Sequence, residues 1–336
     1  HLHLTTGQDM TADQIFIGID CGTQGTKVMA VSRRRRTLIA EAYAPHDIIE
    51  AAGGRREQQP EWWISACEQA LTQVLADPAV NRQQVTGMAV SGQQHGLVPL
   101  DARDQVIRPA KLWCDTEPAP QAAWLTDRLG GTAGAISATG NAIAVGFTAS
   151  KLVWLREQEP ENYERLATVL LPHDYLNFWL TGQRRAEYGD ASGTAFFDVV
   201  KRLWSSEVVA TIDPTGRLAS CLPALMGPSE PCGHLRPHLA EKWGLPQSVL
   251  VAAGGGDNMM AAIGTGNVTD GIVTVSLGTS GTIFAHASKP IVDPHGEVAA
   301  FCDSTGAWLP LICTMNVTVA TELTKSLFEM DTAALE

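Results

Sequence analysis

The stretch DCGTQGTK, residues 20–27, crowds two Gly-Thr pairs between a carboxylate and an ammonium. Its flanks decide its fold. Before it runs IFIGID (15–20), short, apolar and rich in β-branched residues; after it come KVMAVS (27–32), the arginine run 33–36 and TLIAEAYA (37–44). Each apolar segment reads as a strand, so the glycines occupy a hairpin turn. A P-loop or a dinucleotide fingerprint needs a strand, then glycines, then a helix. No helix follows here, so neither pattern applies. The four arginines read as a solvated hairpin tip rather than a nucleic-acid surface.

The pattern GTxGT recurs at 278–282, inside GIVTVSLGTSGTIFAHA (271–287), which again reads as strand, turn, strand. Two copies in one structural context predict a duplicated domain, each copy offering a loop to a shared ligand. Phosphate suits such loops. Gly22 and Gly25, like Gly278 and Gly281, let backbone N–H groups turn inward toward an anion. Thr23, Thr26, Thr279 and Ser280 add hydroxyl donors, and Lys27 adds a point charge. Asp20 would repel phosphate directly, so it implies a cation between them, and Mg2+ needs only one or two carboxylates besides water and phosphate oxygens. The plain alternative is two tight hairpins that need glycine for their turns alone.

Three further segments matter. SVLVAAGGGDNMMAAIG (248–264) reads as a strand, a triple-glycine turn and a helix start, with Asp257 at that start as either a general base or a helix cap. VTGMAVSG (85–92) is a buried strand running into Gln93, Gln94 and His95, a polar cluster where a hydroxylated ligand could be read. PEWWISACEQALTQVLAD (60–77) places Trp63, Cys67, Ala70, Leu71 and Val74 on one helical face, which reads as core. The stretch 147–182 reads as helices broken at Pro160 and Pro172.

The 336 residues suffice for two domains. Hydrophobic residues make up 45% and charged residues 18%, and the net charge of −12 argues against a nucleic-acid partner. Seven scattered cysteines form no CxxC pair and no zinc spacing, so reduced thiols in a cytoplasm are expected. No apolar run reaches the ~18 residues of a membrane span. The first fourteen residues read as a loose leader without a signal peptide, folding starting at Ile15.

Taken together, GIDCGTQGTK, SGQQHG (91–96), LWCDTE (112–117), LLPHDYLNFWLTG (170–182), DASGT (190–194), GGGDN (254–258) and SLGTSGT (276–282) resemble the FGGY carbohydrate kinases of the actin-like ATPase superfamily, and within that family its xylulokinase branch. The resemblance implies an α/β, actin-like (ribonuclease H-like) fold with two duplicated domains around a central cleft. It places residues 15–247 in an N-terminal domain and 248–336 in a C-terminal domain that is incomplete and leaves apolar surface exposed. It implies ATP and Mg2+ as cofactors and a sugar, D-xylulose, as substrate, with a homodimer left open. Asp257 would be the catalytic base and Asp20 would orient the metal's waters, both carboxylates serving the metal. Gln94, His95, Trp113, Asp115 and Asn258 would bind the sugar, and the two GTxGT loops the ATP phosphates. Glycerol kinases carry an Arg-Glu pair where this chain has QQHG, which favours a ketopentose. The alternatives are another FGGY kinase, acting on ribulose, fuculose, gluconate or glycerol, or a sugar-binding module without catalysis.

Overall fold

A computed structural model describes residues 13–278, 281–314, 317–331 and 334. The expected leader lies outside these residues except for its last two. The expected hairpin is present: β1 (Ile15–Cys21), β2 (Gly25–Ser32) and β3 (Thr37–Pro45) form an antiparallel meander, with the arginines exposed at its tip. Along β1, Ile15, Ile17, Ile19 and Cys21 are buried while Phe16 and Asp20 are exposed, the period-2 alternation of a strand with one face in the core. Helix α1 (Pro60–Ala76) opens with proline at its first position, where the missing N–H loses no bond. It buries Trp63, Cys67, Ala70, Leu71 and Val74 against β2 and β3. Each fully buried large apolar side chain contributes about 1.5–3 kcal/mol.

The meander is one half of a mixed sheet. The other half holds β4 (Val85–Gly92), β5 (Pro231–His234), β6 (Leu250–Ala252) and the short β7 (Gly255–Gly256). The strand order is β5-β6-β4-β1-β2-β3, with β7 also on β4. Strands β1, β6 and β7 all run parallel to β4, so their carboxyl ends share one edge. In register, Asp20 stands beside Ser91, and Ser91 beside Gly255. Helix α2 (Pro172–Thr181) packs against β4.

Helix α3 (Asp257–Gly264) leads into a second sheet of β8 (Val273–Leu277), β9 (Gly281–Ala285), β10 (Ala299–Cys302) and β11 (Trp308–Thr314), ordered β8-β9-β11-β10, and then α4 (Thr318–Phe328). Phe284, Phe301, Leu309 and Leu311 join a core with the helical middle of the chain. Strand β8 and α4 instead expose Val273, Val275, Leu277, Leu323, Leu327 and Phe328, Leu277 by 69%. The region 147–182 departs from the sequence reading in one respect. Between its helices, Thr168–Leu170 is a strand paired with Val98–Leu100. A buried apolar run that short carries no periodicity to separate strand from helix.

One further core is ionic. Lys111, fully buried, lies 3.1 Å from Glu57 Oε1 and 3.2 Å from Asp115 Oδ2, pairs with Glu117, and sits 3.8 Å from the centre of the Trp154 ring. Arg108 closes the network on Glu57 at 2.6 Å and Glu159 at 2.9 Å. Removing one partner of such a cluster leaves buried charge unpaired. Lys111→Met is therefore expected to lose about 3–5 kcal/mol of unfolding free energy in urea titrations; a loss below about 1 kcal/mol would mean that the carboxylates find other partners.

Candidate active site

The shared strand edge gathers most of the sequence-predicted residues. Asp20, last but one in β1, is exposed there, and Ser91 donates its hydroxyl to Asp20 Oδ1 at 2.8 Å. The turn after β1 closes with Gly22 N–H donating to Gly25 C=O. Thr23 is held from two sides: its hydroxyl donates to Gln93 Oε1 at 3.1 Å and accepts from Trp113 Nε1 at 3.0 Å. Trp113 thus reaches the turn itself. Below it, Gln58 donates to the Thr23 carbonyl at 2.7 Å and accepts from Gln93 at 2.9 Å and Trp63 at 2.9 Å. Gln58 carried no signal in the sequence, because its partners lie 5 to 35 residues away along the chain.

Three predicted ligand residues are directed elsewhere. Thr26 is fully buried, its hydroxyl beside the Cys21 thiol, which burial pushes up to about 12. Lys27 is engaged by Glu41 at 2.7 Å, both half exposed. Asp115 is fully buried; its Oδ2 accepts from Arg56 N–H at 3.1 Å and Lys111, and its Oδ1 from Glu117 N–H at 2.9 Å. In the second GTxGT copy, Leu277 pairs with Gly281, whereas in the first Cys21 pairs with Thr26. The two turns therefore close one residue out of step. Gly278 is exposed and its carbonyl accepts from Thr318 N–H, while Thr279 and Ser280 lie outside the described residues.

The triple-glycine turn brings in the remaining residues. Gly254 has φ +66°, and a β-carbon there would lie 2.2 Å from the Val90 carbonyl oxygen. A β-carbon on Gly256 would strike the Gln94 side chain at 2.6 Å. Glycine is thus required for the turn to lie on the end of β4. The turn delivers Asp257 and Asn258 to the first turn of α3, where the helix N-terminus favours a carboxylate. Asp257 Oδ1 accepts from Asn258 N–H at 2.7 Å and from Asn258 Nδ2 at 3.0 Å; the same amide donates to Gln94 Oε1 at 3.1 Å. Solvent reaches Asp257, yet protein packs closely around its carboxyl. That desolvation, with the charges of Asp190 and Asp20 adding to it and the Asn258 bonds opposing it, pushes the group up to about 7.

His95 is a non-glycine residue at φ +67°, its ring packed on Phe147 and Phe301 with centroids 4.7 and 5.9 Å away. Burial and the nearby Lys151 charge hold it down at about 3, so the imidazole is neutral near pH 7. Lys151, itself brought down to about 7 by burial, donates to the His95 carbonyl at 2.8 Å. Glu187 was not foreseen. It is fully buried under the glycine turn, accepts from Gly189 and Asp190 N–H, and is pushed up to about 8 by burial. Asp190, equally buried, stands in the quoted DASGT motif without an assigned role.

This arrangement of open strand ends, hairpin turn and glycine-borne aspartate is that of a sugar-kinase fold. Residues 15–264 match the N-terminal domain of the FGGY family of carbohydrate kinases, and the chain belongs to that family. It is 45% identical over 321 residues to a xylulose kinase of Haemophilus influenzae, covering 94% of this chain and 65% of that protein. It is 40% identical to a xylulose kinase of Streptomyces coelicolor, covering 96% and 64%. A crystal structure of a xyloylose kinase from Brucella ovis superposes with a TM-score of 0.88 at 36% identity, covering 94% of this chain and 64% of that one. The actin-like α/β fold expected from the sequence is thereby shown. The chain spans just under two thirds of the length of the curated relatives it matches. Among the described residues no helix is long and apolar enough to cross a membrane, and all seven cysteines are free.

The crowding at Gly254 gives a direct test of the turn. Gly254→Ala is expected to lower stability by about 1–3 kcal/mol, seen as a lower urea midpoint at unchanged slope. An unchanged midpoint would show that the turn reshapes freely.

Proposed function

We propose that this chain carries the sugar site and catalytic carboxylate of a kinase that moves the γ-phosphoryl group of ATP to a hydroxyl of D-xylulose, giving D-xylulose 5-phosphate. The observation that carries this reading is the meeting of Asp20, Ser91 and the Gly255–Asp257 turn at one strand edge, with Asp257 tuned near neutrality. Open α/β sheets bind ligands at the carboxyl ends of their strands. A general base works best with a pKa near the working pH. D-Xylulose in particular is supported by the relatives named xylulose kinases.

In this reading Asp257 takes the proton of the attacking hydroxyl as its oxygen bonds the γ-phosphorus and the bond to ADP breaks. Gln94 and Asn258, already paired, fix the sugar's orientation, and neutral His95 offers a further polar edge beside Phe147 and Phe301. The Gly22–Gly25 turn and its partner at Gly278–Gly281 flank the phosphates. Asp20 and Asp257 form an all-oxygen donor set whose mutual repulsion a divalent cation would relieve, which suits Mg2+. Such an ion would neutralise charge on the transferring phosphoryl group. Residues 15–247 form the sugar-binding domain in this reading, and 248–336 open the second. The rival reading is a sugar-binding module without turnover, for which the paired Gln94 and Asn258 would suffice.

ADP release with MgATP and D-xylulose, against glycerol and L-ribulose, separates the readings. Turnover strongest with D-xylulose is expected. Sugar binding by calorimetry without turnover would favour the module. Asp257→Asn is expected to cut turnover by at least about a hundredfold while sparing sugar affinity; retained turnover would remove Asp257 from its role. Turnover should also fall as pH drops through about 7, because the protonated carboxyl cannot accept a proton. A rate flat from about pH 6 to about pH 8 would contradict that assignment.

A further inference from the structure

Behind the glycine turn lies a buried cluster that phosphoryl transfer, as set out above, does not use. His173 on α2 is fully buried. It packs where only glycine allows it, against Gly92 of β4 and Gly254. A β-carbon at Gly92 would lie 2.8 Å from His173 Cβ, and one at Gly254 would lie 2.9 Å from Nε2. Nε2 is 2.7 Å from the Ala253 carbonyl oxygen, and Asn177 Nδ2 donates to the same oxygen at 2.8 Å. Asn177 Nδ2 also stands 3.0 Å from Nε2, where it could donate only to a bare nitrogen; the shorter contact, to a carbonyl oxygen that only accepts, favours a proton on Nε2.

The other ring nitrogen settles the charge. Nδ1 faces Asp174 Oδ1 at 3.2 Å and Asp190 Oδ2 at 3.4 Å. Ionised carboxylates are acceptors only. A bare lone pair on Nδ1 would face both with repulsion, and a proton there turns both contacts attractive. The groups facing the ring are Asp174 on its own helix, Asp190 and Glu187 from the segment Glu187–Ala191, and the Cys232 thiol from β5. Three are carboxyls, and none is a cation.

We infer that His173 is a positioning residue, a buried imidazolium that grips the Ala253 carbonyl and so fixes the turn that delivers Asp257. Burial alone would disfavour the charged ring, but the Asp174 and Asp190 carboxylates beside Nδ1 outweigh it and hold the group well above the usual histidine range. The charge also offsets part of the negative cluster beneath the turn, and Gln94 continues the contact from Asp190 to Asn258 and Asp257. The benefit to catalysis rests on the function proposed above; the charge state and the grip do not.

The test uses the full chain labelled with 15N-histidine and followed by long-range proton–nitrogen spectra from about pH 5 to about pH 9. Ordinary imidazoles titrate near about 6.5. One histidine, absent from the His173→Gln spectrum, is expected to keep both ring nitrogens protonated well past the ordinary histidine range. A singly protonated His173 at about pH 7, whether its proton sits on Asp190 or a cation replaces it, would overturn the inference. The near-isosteric Asp190→Asn is expected to bring its titration down by at least about one unit. It should also speed hydrogen exchange at residues 254–257 at least about tenfold. Exchange unchanged in Asp190→Asn and in His173→Ala would overturn the positioning role, and partial recovery in His173→Gln, which keeps a donor for Ala253, would support it. None of these readouts needs turnover, so a chain inactive toward every sugar leaves the inference decidable.

Discussion

The parallel alignment of β1, β6 and β7 on β4 is the constraint from which the site follows. It sets Asp20, Ser91 and Gly255 side by side in register, although 235 residues separate the first from the last. Strand ends leave backbone and side chains unpaired, so polar groups gather there without burial cost. The hairpin turn after β1 and the glycine turn before α3 occupy neighbouring positions on that edge. A slip of one residue in β1 would send Asp20 to the buried face and Ile19 to the site.

Charge is handled differently at the edge and behind it. Away from the edge, the carboxylates of Glu57, Asp115, Glu117 and Glu159 are each paired with an ordinary cation, Lys111, Arg108 or Arg55. Under the glycine turn, His173 is the one ion-pair partner of Asp174 and Asp190 among the described residues, with Glu187 buried nearby. Burial raises Glu187 to about 8 and Asp190 to about 6, and the neighbouring carboxylate in each case adds to it. Asp257 lies at the margin of that field and inherits part of it. A carboxyl tuned near neutrality therefore arises from its surroundings more than from its own bonds.

Much of this was legible in the chain. The first strands alternate with period 2, and their turn glycines mark the hairpin between them, so that part of the fold could be read residue by residue. The triple glycine with Asp257 announced a strand, a turn and a helix start, and the structure has all three. What escaped the sequence depends on which way a side chain points or on distant partners. Thr26 and Asp115 have the right chemistry but face inward. Gln58 matters only through Thr23 and Gln93, and the strand Thr168–Leu170 only through Val98–Leu100. His173 and Asp190 stood in segments that marked the family, but their meaning lay in a contact across the fold.

Three consecutive glycines also give the site a thermal character. An ordered glycine gives up more backbone freedom than any other residue, and that entropic term grows with temperature. The strands beside the turn are held by apolar side chains, whereas residues 254–256 have no side chains with which to resist. Heating therefore works against the ordered turn directly. The geometry around Asp257 is therefore held from outside, by Val90, Gln94 and His173 packed on the glycines, and the entropic pull against that packing strengthens with warmth.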